Sequence, residues 1–324
     1  MITNMVIKTN DSGYFRILGN VRNYPTKPVF RIEDIFPFCA WISFQWERNF
    51  KPFGFIKLVH GKYLACPLIV FLYLLMCKYG PTRMKNRKEF DLRRVIILWN
   101  IILSLFNLIV VVKLTPVLLY IIFKYTFTGL LIIPPIYTYA FGTPGLWVCV
   151  FILSKFVELA DTLFLILRKK KVTLLHWFHH STVLLYTWHT YHDEVPAGFI
   201  FIIINAFVHT VMYSYYAMST VFKKPLCWNI LVTLLQIFQM VLGILLTLYC
   251  LYITHTYKFN TYWDLRSVRK IQQKFSFDYG HYVSRTNVAY AVLMYLSYLL
   301  LFGKYFYDRY IRAPTKQVGK EKPT

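Results

Sequence analysis

Seven stretches of the chain, 63–77, 95–112, 145–167, 175–192, 197–219, 229–253 and 287–306, are apolar over lengths near the about 20 residues that carry a helix across a bilayer. In hydrocarbon every backbone N–H and C=O must be satisfied internally, which leaves helices and closed barrels. Continuous apolar blocks, without period-2 alternation, select the helix. Composition agrees: 57% of residues are hydrophobic, against about 45–50% in soluble domains. The predicted fold is therefore an all-α polytopic membrane protein with seven transmembrane helices. The first block is short and the fourth is polar. The stretch 114–144 is apolar too but holds Pro116, Pro134, Pro135 and Pro144, which predicts a broken, re-entrant or interfacial connection.

Charge orients the bundle. The net charge of +23 would suggest nucleic acid in a soluble protein; in a membrane protein it reads as topology plus an anionic partner, with no nucleic acid. Lys78, Arg83, Lys85, Arg87, Lys88, Arg93 and Arg94 follow the first span, Arg168 to Lys171 the third, Lys223 and Lys224 the fifth, and Lys304, Arg309, Arg312, Lys316, Lys320 and Lys322 the last. The connection His192-Asp193-Glu194-Val195-Pro196 has no Lys or Arg. The positive-inside rule then places the C-terminus in the cytosol and the N-terminus on the far side. The basic connection between the last two spans is an exception. Residues 1–60, mixed in character and without a short cleavable signal, are expected to form a lumenal or interfacial segment. Residues 61–308 form the membrane domain, and 309–324 a cytosolic tail. That tail ends Lys320-Glu321-Lys322-Pro323-Thr324, similar to a dilysine retrieval signal of the endoplasmic reticulum, and Asn10-Asp11-Ser12 is a glycosylation sequon on the predicted lumenal side.

Four spans carry polar residues at helical spacing. Lys155, Glu158, Asp161 and Thr162 share one face, as do His176, His179 and His180. Asn205, His209, Met212 or Tyr213, and Tyr216 form a third stripe, and Thr233, Gln236 and Gln239 a fourth. At 1.5 Å per residue, Glu158 and Asp161 lie roughly 10–15 Å, and His179 roughly 12 Å, below the basic edge of the bundle. His209, Gln236 and Gln239 lie roughly 18–22 Å below it. One polar pocket open to the cytosolic side explains all four stripes. Helix-to-helix hydrogen bonding is the alternative use for such residues.

Two chemistries fit clustered imidazoles. One is metal binding, but a di-iron centre needs eight or more histidines in several boxes. This chain has nine in all, of which His60, His255 and His281 lie in connections, and there is no second HxxHH. A lone zinc with four ligands remains open. The other is acyl transfer, with an imidazole as nucleophile or base and neighbouring amides and hydroxyls stabilising oxyanions. A basic rim suits a donor bearing phosphates, such as coenzyme A. The six cysteines (Cys39, Cys66, Cys77, Cys149, Cys227 and Cys250) form no CxxC pair and read as buried small hydrophobes. A seven-span receptor or small transporter is the non-enzymatic alternative.

Lys155-Phe-Val-Glu158-Leu-Ala-Asp161-Thr162 resembles KxxExxDT, and His176-Trp-Phe-His179-His180 matches HxxHH. Asn205-Ala-Phe-Val-His209-Thr-Val-Met212-Tyr213-Ser-Tyr215-Tyr216 resembles NxxxHxxMYxYY, and Thr233-Leu-Leu-Gln236-Ile-Phe-Gln239 resembles TxxQxxQ. In this order, over about residues 63–310, the chain resembles the ELO family of very-long-chain fatty acid elongases. The resemblance implies a 3-oxoacyl-CoA synthase of the endoplasmic reticulum membrane that condenses acyl-CoA with malonyl-CoA and releases CO2 and CoA. It implies seven helices, six of them ringed around a closed-ended substrate tunnel, and no cofactor or metal. His179 would be the nucleophile and His209 its partner, with His176 and His180 orienting or sharing protons. Glu158, Asp161, Thr162, Asn205, Met212, Tyr213, Tyr216, Gln236 and Gln239 would line the substrate pocket. Lys155, Arg94 and Lys169 would contact coenzyme A. Chain length would be set by bulky residues such as those between Met240 and Tyr249. Implied partners are the reductases and dehydratase of the elongation cycle, membrane lipid and a second copy of the chain.

Overall fold

A computed structural model describes residues 30–256 and 284–312, together with three short strands near the N-terminus. The dilysine-like tail, the sequon at Asn10 and the basic connection 257–283 lie outside the described residues. The strands Ile7–Thr9, Tyr14–Ile17 and Asn23–Pro25 form an antiparallel meander that pairs Ile7 with Ile17 and Tyr14 with Pro25. Sequence periodicity does not point to it. The remaining regular structure is helical: α1 (Ile32–Ile35), α2 (Phe38–Trp41), α3 (Gln45–Arg48), α4 (Phe53–Gly61), α5 (Ala65–Met84), α6 (Arg93–Ile132), a 3-10 turn at Pro135–Tyr137, α7 (Gly142–Val157), α8 (Ala160–Leu167), α9 (Leu174–His192), α10 (Gly198–Phe222), α11 (Asn229–Thr256) and α12 (Arg285–Phe306), which runs on into one π turn.

Among the described residues five helices are long and apolar enough to cross a membrane: Ala65–Met84, Arg93–Ile132, Gly198–Phe222, Asn229–Ile253 and Thr286–Ile311. The two other expected spans are helical as well, but each is interrupted or polar. Span 145–167 is divided into α7 and α8. At the junction the N–H groups of Leu159, Asp161 and Thr162 bond carbonyls three residues back (3.3, 3.1 and 3.2 Å). This 3-10 tightening falls inside the KxxExxDT motif, where a break in helical geometry often accompanies function. The fourth span, α9, carries five imidazoles.

Between 113 and 125 the structure departs from the expected broken connection. Here α6 continues through Pro116 and breaks only at Thr126, whose φ of 66° is left-handed. Proline inside a membrane helix is tolerated where surroundings re-satisfy the carbonyl it frees, here that of Val112; next to it Thr115 Oγ1 adds a bond to Val111 O at 2.7 Å. The run 93–125 is about 50 Å long at 1.5 Å per residue, longer than the about 30 Å hydrocarbon core. Lys113 partway along it is buried and neutralised by Glu47 of α3 at 2.6 Å, and it also bonds the carbonyl of Ile42. The short N-terminal helices thus cover a charge that the long helix could not leave in lipid.

α9 packs against α5, α7 and α12, while α6 lies along α10 and α11 along α12. The α11–α12 approach is close because position 243 is glycine: a Cβ there would lie 2.5 Å from Tyr295 Cε1.

Candidate active site

Thr173 sets the register of the histidine helix. Its hydroxyl caps α9 by accepting the His176 N–H at 3.3 Å, so His176, His179 and His180 turn inward. His176 and His180 stand ring to ring with centroids 4.5 Å apart, and His179 and His180 meet edge to face at 5.5 Å. His176 Nε2 is 2.8 Å from Thr162 Oγ1, which is itself 2.8 Å from the Tyr73 hydroxyl. This chain of hydroxyls orients His176 from α8 and α5. His179 lies against Tyr298 at 4.9 Å, and the Tyr298 hydroxyl donates to the His179 carbonyl at 3.2 Å.

The tight α7–α8 turn directs three charged side chains into the same region. Lys155 Nζ donates to Glu158 Oε1 at 2.7 Å and to Asn205 Oδ1 at 3.4 Å, and both Lys155 and Glu158 are about 1% exposed at the side chain. Ser154 Oγ donates to Glu158 Oε1 at 3.1 Å. The second oxygen, Glu158 Oε2, lies 3.9 Å from His209 Nδ1, and neither atom has a hydrogen-bond partner among the described residues. Buried polar atoms are rarely left unmatched, which singles this pair out within the site. Asp161 is saturated instead: Trp99 Nε1 donates to Oδ1 at 2.6 Å and the Tyr213 hydroxyl to Oδ2 at 2.9 Å. Gln236 Nε2 donates to Met212 Sδ at 3.2 Å.

Two cavities meet here. The wider, about 510 Å³, is lined by Asp161, His176, His180, His209, Met212, Tyr213, Tyr216 and Gln236, with Arg168, Lys171 and Arg309 also in its wall. The narrower, about 90 Å³, is mostly apolar and runs past Phe151, Ile152, Val183 and Phe201 towards Ile56, Tyr139, Thr190 and Val195. His179, Asn205, Gln239 and Met240 line both. Lys155 faces the narrow cavity, while Glu158 and Thr162 sit behind the wall and act through their bonds to Lys155 and His176.

Two of the expected coenzyme A contacts lie elsewhere. Lys169 adopts a left-handed backbone (φ 53°) and donates to the carbonyls of Lys85 and Arg87 at 3.0 Å each, closing the α5–α6 turn onto the α8–α9 turn. Arg94 is exposed and does not line the cavity. The α11 stretch between Met240 and Tyr249 contributes only Met240 to the narrow cavity; Tyr249 bonds Thr128 at 2.9 Å. Other parts of that cavity's wall come from α4, the 135–145 turn and the end of α9. Sequence reasoning also missed Trp99, a single aromatic with a polar tip in an apolar block, and Tyr298, one of several tyrosines in its span.

Comparison with known proteins identifies the family. A family model described as the GNS1/SUR4 family, ELO, matches residues 58–318. Very long chain fatty acid elongase 3 of Mus musculus is 34% identical over 281 residues, covering 86% of this chain and 92% of that protein. Very long chain fatty acid elongase 6 of Gallus gallus is 32% identical over 277 residues, 85% and 95% of the two chains. The Drosophila melanogaster elongase 6 is 32% identical over 241 residues, 74% and 70%.

Proposed function

The chain belongs to the ELO family, a multi-pass membrane protein of fatty acid elongation, and from that premise we propose that it is a very-long-chain 3-oxoacyl-CoA synthase working through an acyl-histidine intermediate. One observation carries the reading: a wide polar cavity edged by Arg168, Lys171 and Arg309 and a narrow apolar one share His179. The first suits a phosphate-bearing carrier, the second an alkyl chain, and the thioester joining them would fall at the imidazole.

In the first half-reaction a neutral His179 nitrogen attacks the thioester carbonyl. The carbon–sulfur bond breaks, CoA leaves as a thiol after taking up the imidazole proton, and the acyl group stays on nitrogen as a reactive acyl-imidazole. Malonyl-CoA then enters the wide cavity. Loss of CO2 leaves its electron pair on the α-carbon, which attacks the acyl carbon; the carbon–nitrogen bond to His179 breaks, and the departing imidazolate takes up a proton from solvent, restoring the neutral ring. The product is a 3-oxoacyl-CoA two carbons longer. His209 Nδ1 and Glu158 Oε2, close together and unmatched, form the relay for the proton in transit. Asn205 and Gln239, at the junction, are placed to donate to the developing oxyanion. The substrates are acyl-CoA and malonyl-CoA, with no added cofactor.

The reading includes seven crossings, six of them around a continuous closed-ended tunnel, in the endoplasmic reticulum membrane with a lumenal N-terminus and a cytosolic C-terminus. The positive residues 168–171 and 309–312 then lie at the cytosolic face. Reductases and dehydratase of the cycle would consume the product, and a homodimer is compatible. The test is to incubate the purified protein with labelled malonyl-CoA and a panel of acyl-CoAs. Label in 3-oxoacyl-CoA from some chain lengths is the expected result; none from any acyl-CoA overturns the reading.

A further inference from the structure

A second group of histidines stands at the other end of α9, in the last turn and the loop that follows it. His189 Nε2 lies 3.5 Å from Asp193 Oδ2, and His192 Nδ1 lies 3.0 Å from Asp193 Oδ1. One ligand atom from each of His189, His192 and Asp193 falls within 4.8 Å of the others, the one such gathering of His, Cys, Asp and Glu side chains among the described residues. The motif match absorbs none of the three.

Spacing and surroundings both suit a metal ion. Nitrogen and oxygen ligands at about 2.0–2.1 Å from a tetrahedral zinc stand about 3.3 Å apart; the two imidazoles approach the two Asp193 oxygens at 3.5 and 3.0 Å, and small side-chain shifts would gather three ligand atoms now within 4.8 Å of one another. The i, i+3, i+4 positions put the three groups on one face of a helix end. His189 is held from behind, its Nδ1 3.2 Å from the Tyr63 hydroxyl. Such an outer partner orients most metal-bound histidines. His189 Nε2 is buried with no hydrogen-bond partner among the described residues. With the Nδ1 proton given to Tyr63, Nε2 turns a lone pair towards a carboxylate oxygen, an arrangement that a cation between them would make favourable. Ser284 Oγ steadies Asp193 Oδ2 at 3.1 Å, and the His60 ring lies against His192 with centroids 4.3 Å apart, so a further imidazole borders the cluster. The three side chains are 17–32% exposed, which leaves an ion a way in.

We propose that His189, His192 and Asp193 form a divalent metal site for an imidazole-preferring ion of the zinc class, with His60 or water completing the shell. Two imidazoles and one carboxylate favour zinc over calcium or magnesium, which take oxygen ligands. The site ties the end of α9 to Tyr63 after α4 and to Ser284, the N-cap of α12. Thr190 and Val195, which line the narrow cavity, flank the ligands in sequence. A bound ion would therefore brace that part of the cavity wall.

The test uses the full-length protein in detergent, its affinity tag removed, stripped with chelator and then titrated with Zn²⁺ or Co²⁺. The expected result is one tightly held ion per chain and the visible absorption of tetrahedral cobalt. Both should be lost in the double variant His189→Ala, His192→Ala and kept in His176→Ala. Tyr63→Phe should hold the same stoichiometry with about 10–100-fold weaker affinity, the effect of removing an outer-shell partner. A wild-type protein that takes up no ion and shows no tetrahedral cobalt spectrum overturns the site. Equally, full stoichiometry in the double variant, or loss in His176→Ala, overturns the assignment. Should the double variant not fold, Asp193→Asn is measured by the zinc-dependent rise in unfolding temperature, and a rise equal to that of wild type counts against the site.

Discussion

The two cavities that meet at His179 are built on opposite principles. The wide one is assembled from polar stripes on four helices, with basic residues in its wall. The narrow one presents mostly apolar surface, with Ile56, Tyr139 and Val195 in its wall away from the histidines. Substituting the first should change rate and carrier affinity, whereas substituting the second should change which chain is accepted. A variant that mixes the two effects would undo the division.

Loss of the shared imidazole is expected to have the largest effect. His179→Ala should lower elongation by about 10³-fold or more, the scale of removing a positioned nucleophile or base, while the protein still elutes as a folded species. Loss of that folded peak would remove the contrast between chemistry and scaffold. Next is Glu158→Gln, which strips a buried lysine of its charge partner. Breaking one side of a buried pair costs about 3–5 kcal/mol, to be read as a drop in unfolding temperature. The paired change Lys155→Met, Glu158→Leu should recover much of that stability without recovering elongation. If activity returns with stability, the pair is structural and the His209–Glu158 relay is refuted.

In the narrow cavity, Val195→Phe should shorten the longest acyl-CoA accepted, with about 10–200-fold discrimination per excluded methylene unit and little change for short chains. An unchanged chain-length profile would show that the limit lies elsewhere. The smallest effects are expected in the basic wall. Arg168→Ala or Arg309→Ala should raise KM for acyl-CoA by about 5-fold, about 1 kcal/mol, with kcat held and the effect fading at high salt. Lys169→Ala should leave KM unchanged, because its ammonium already bonds the carbonyls of Lys85 and Arg87.

What was legible in the chain follows from periodicity. His176, His179 and His180, and likewise Lys155, Glu158 and Asp161, share faces because 3.6 residues make a turn, and their depths follow from the helical rise. These arguments need only local geometry, and they identified the polar half of the site. Its apolar half was less legible, because which residues line it depends on which helices touch. The loop at 135–145, the end of α9 and Ile56 of α4 are far apart in sequence, and no period links them. Lys169 and Arg168 are equally basic neighbours; only the left-handed turn at Lys169 sends one to backbone carbonyls and the other to the cavity. Pro116 suggested a break, but neighbouring helices cover α6 there and the chain turns at Thr126 instead. The 3-10 turn within KxxExxDT had no signal in the sequence, since neither Gly nor Pro marks it.

The most direct measurement is intact-protein mass spectrometry after incubation with acyl-CoA alone. The expected result is a mass increase equal to one acyl group less a hydrogen, localised to His179 by fragmentation, absent in His179→Ala and discharged on adding malonyl-CoA. Full elongation by a protein that never carries an acyl group on a histidine would contradict the acyl-imidazole route.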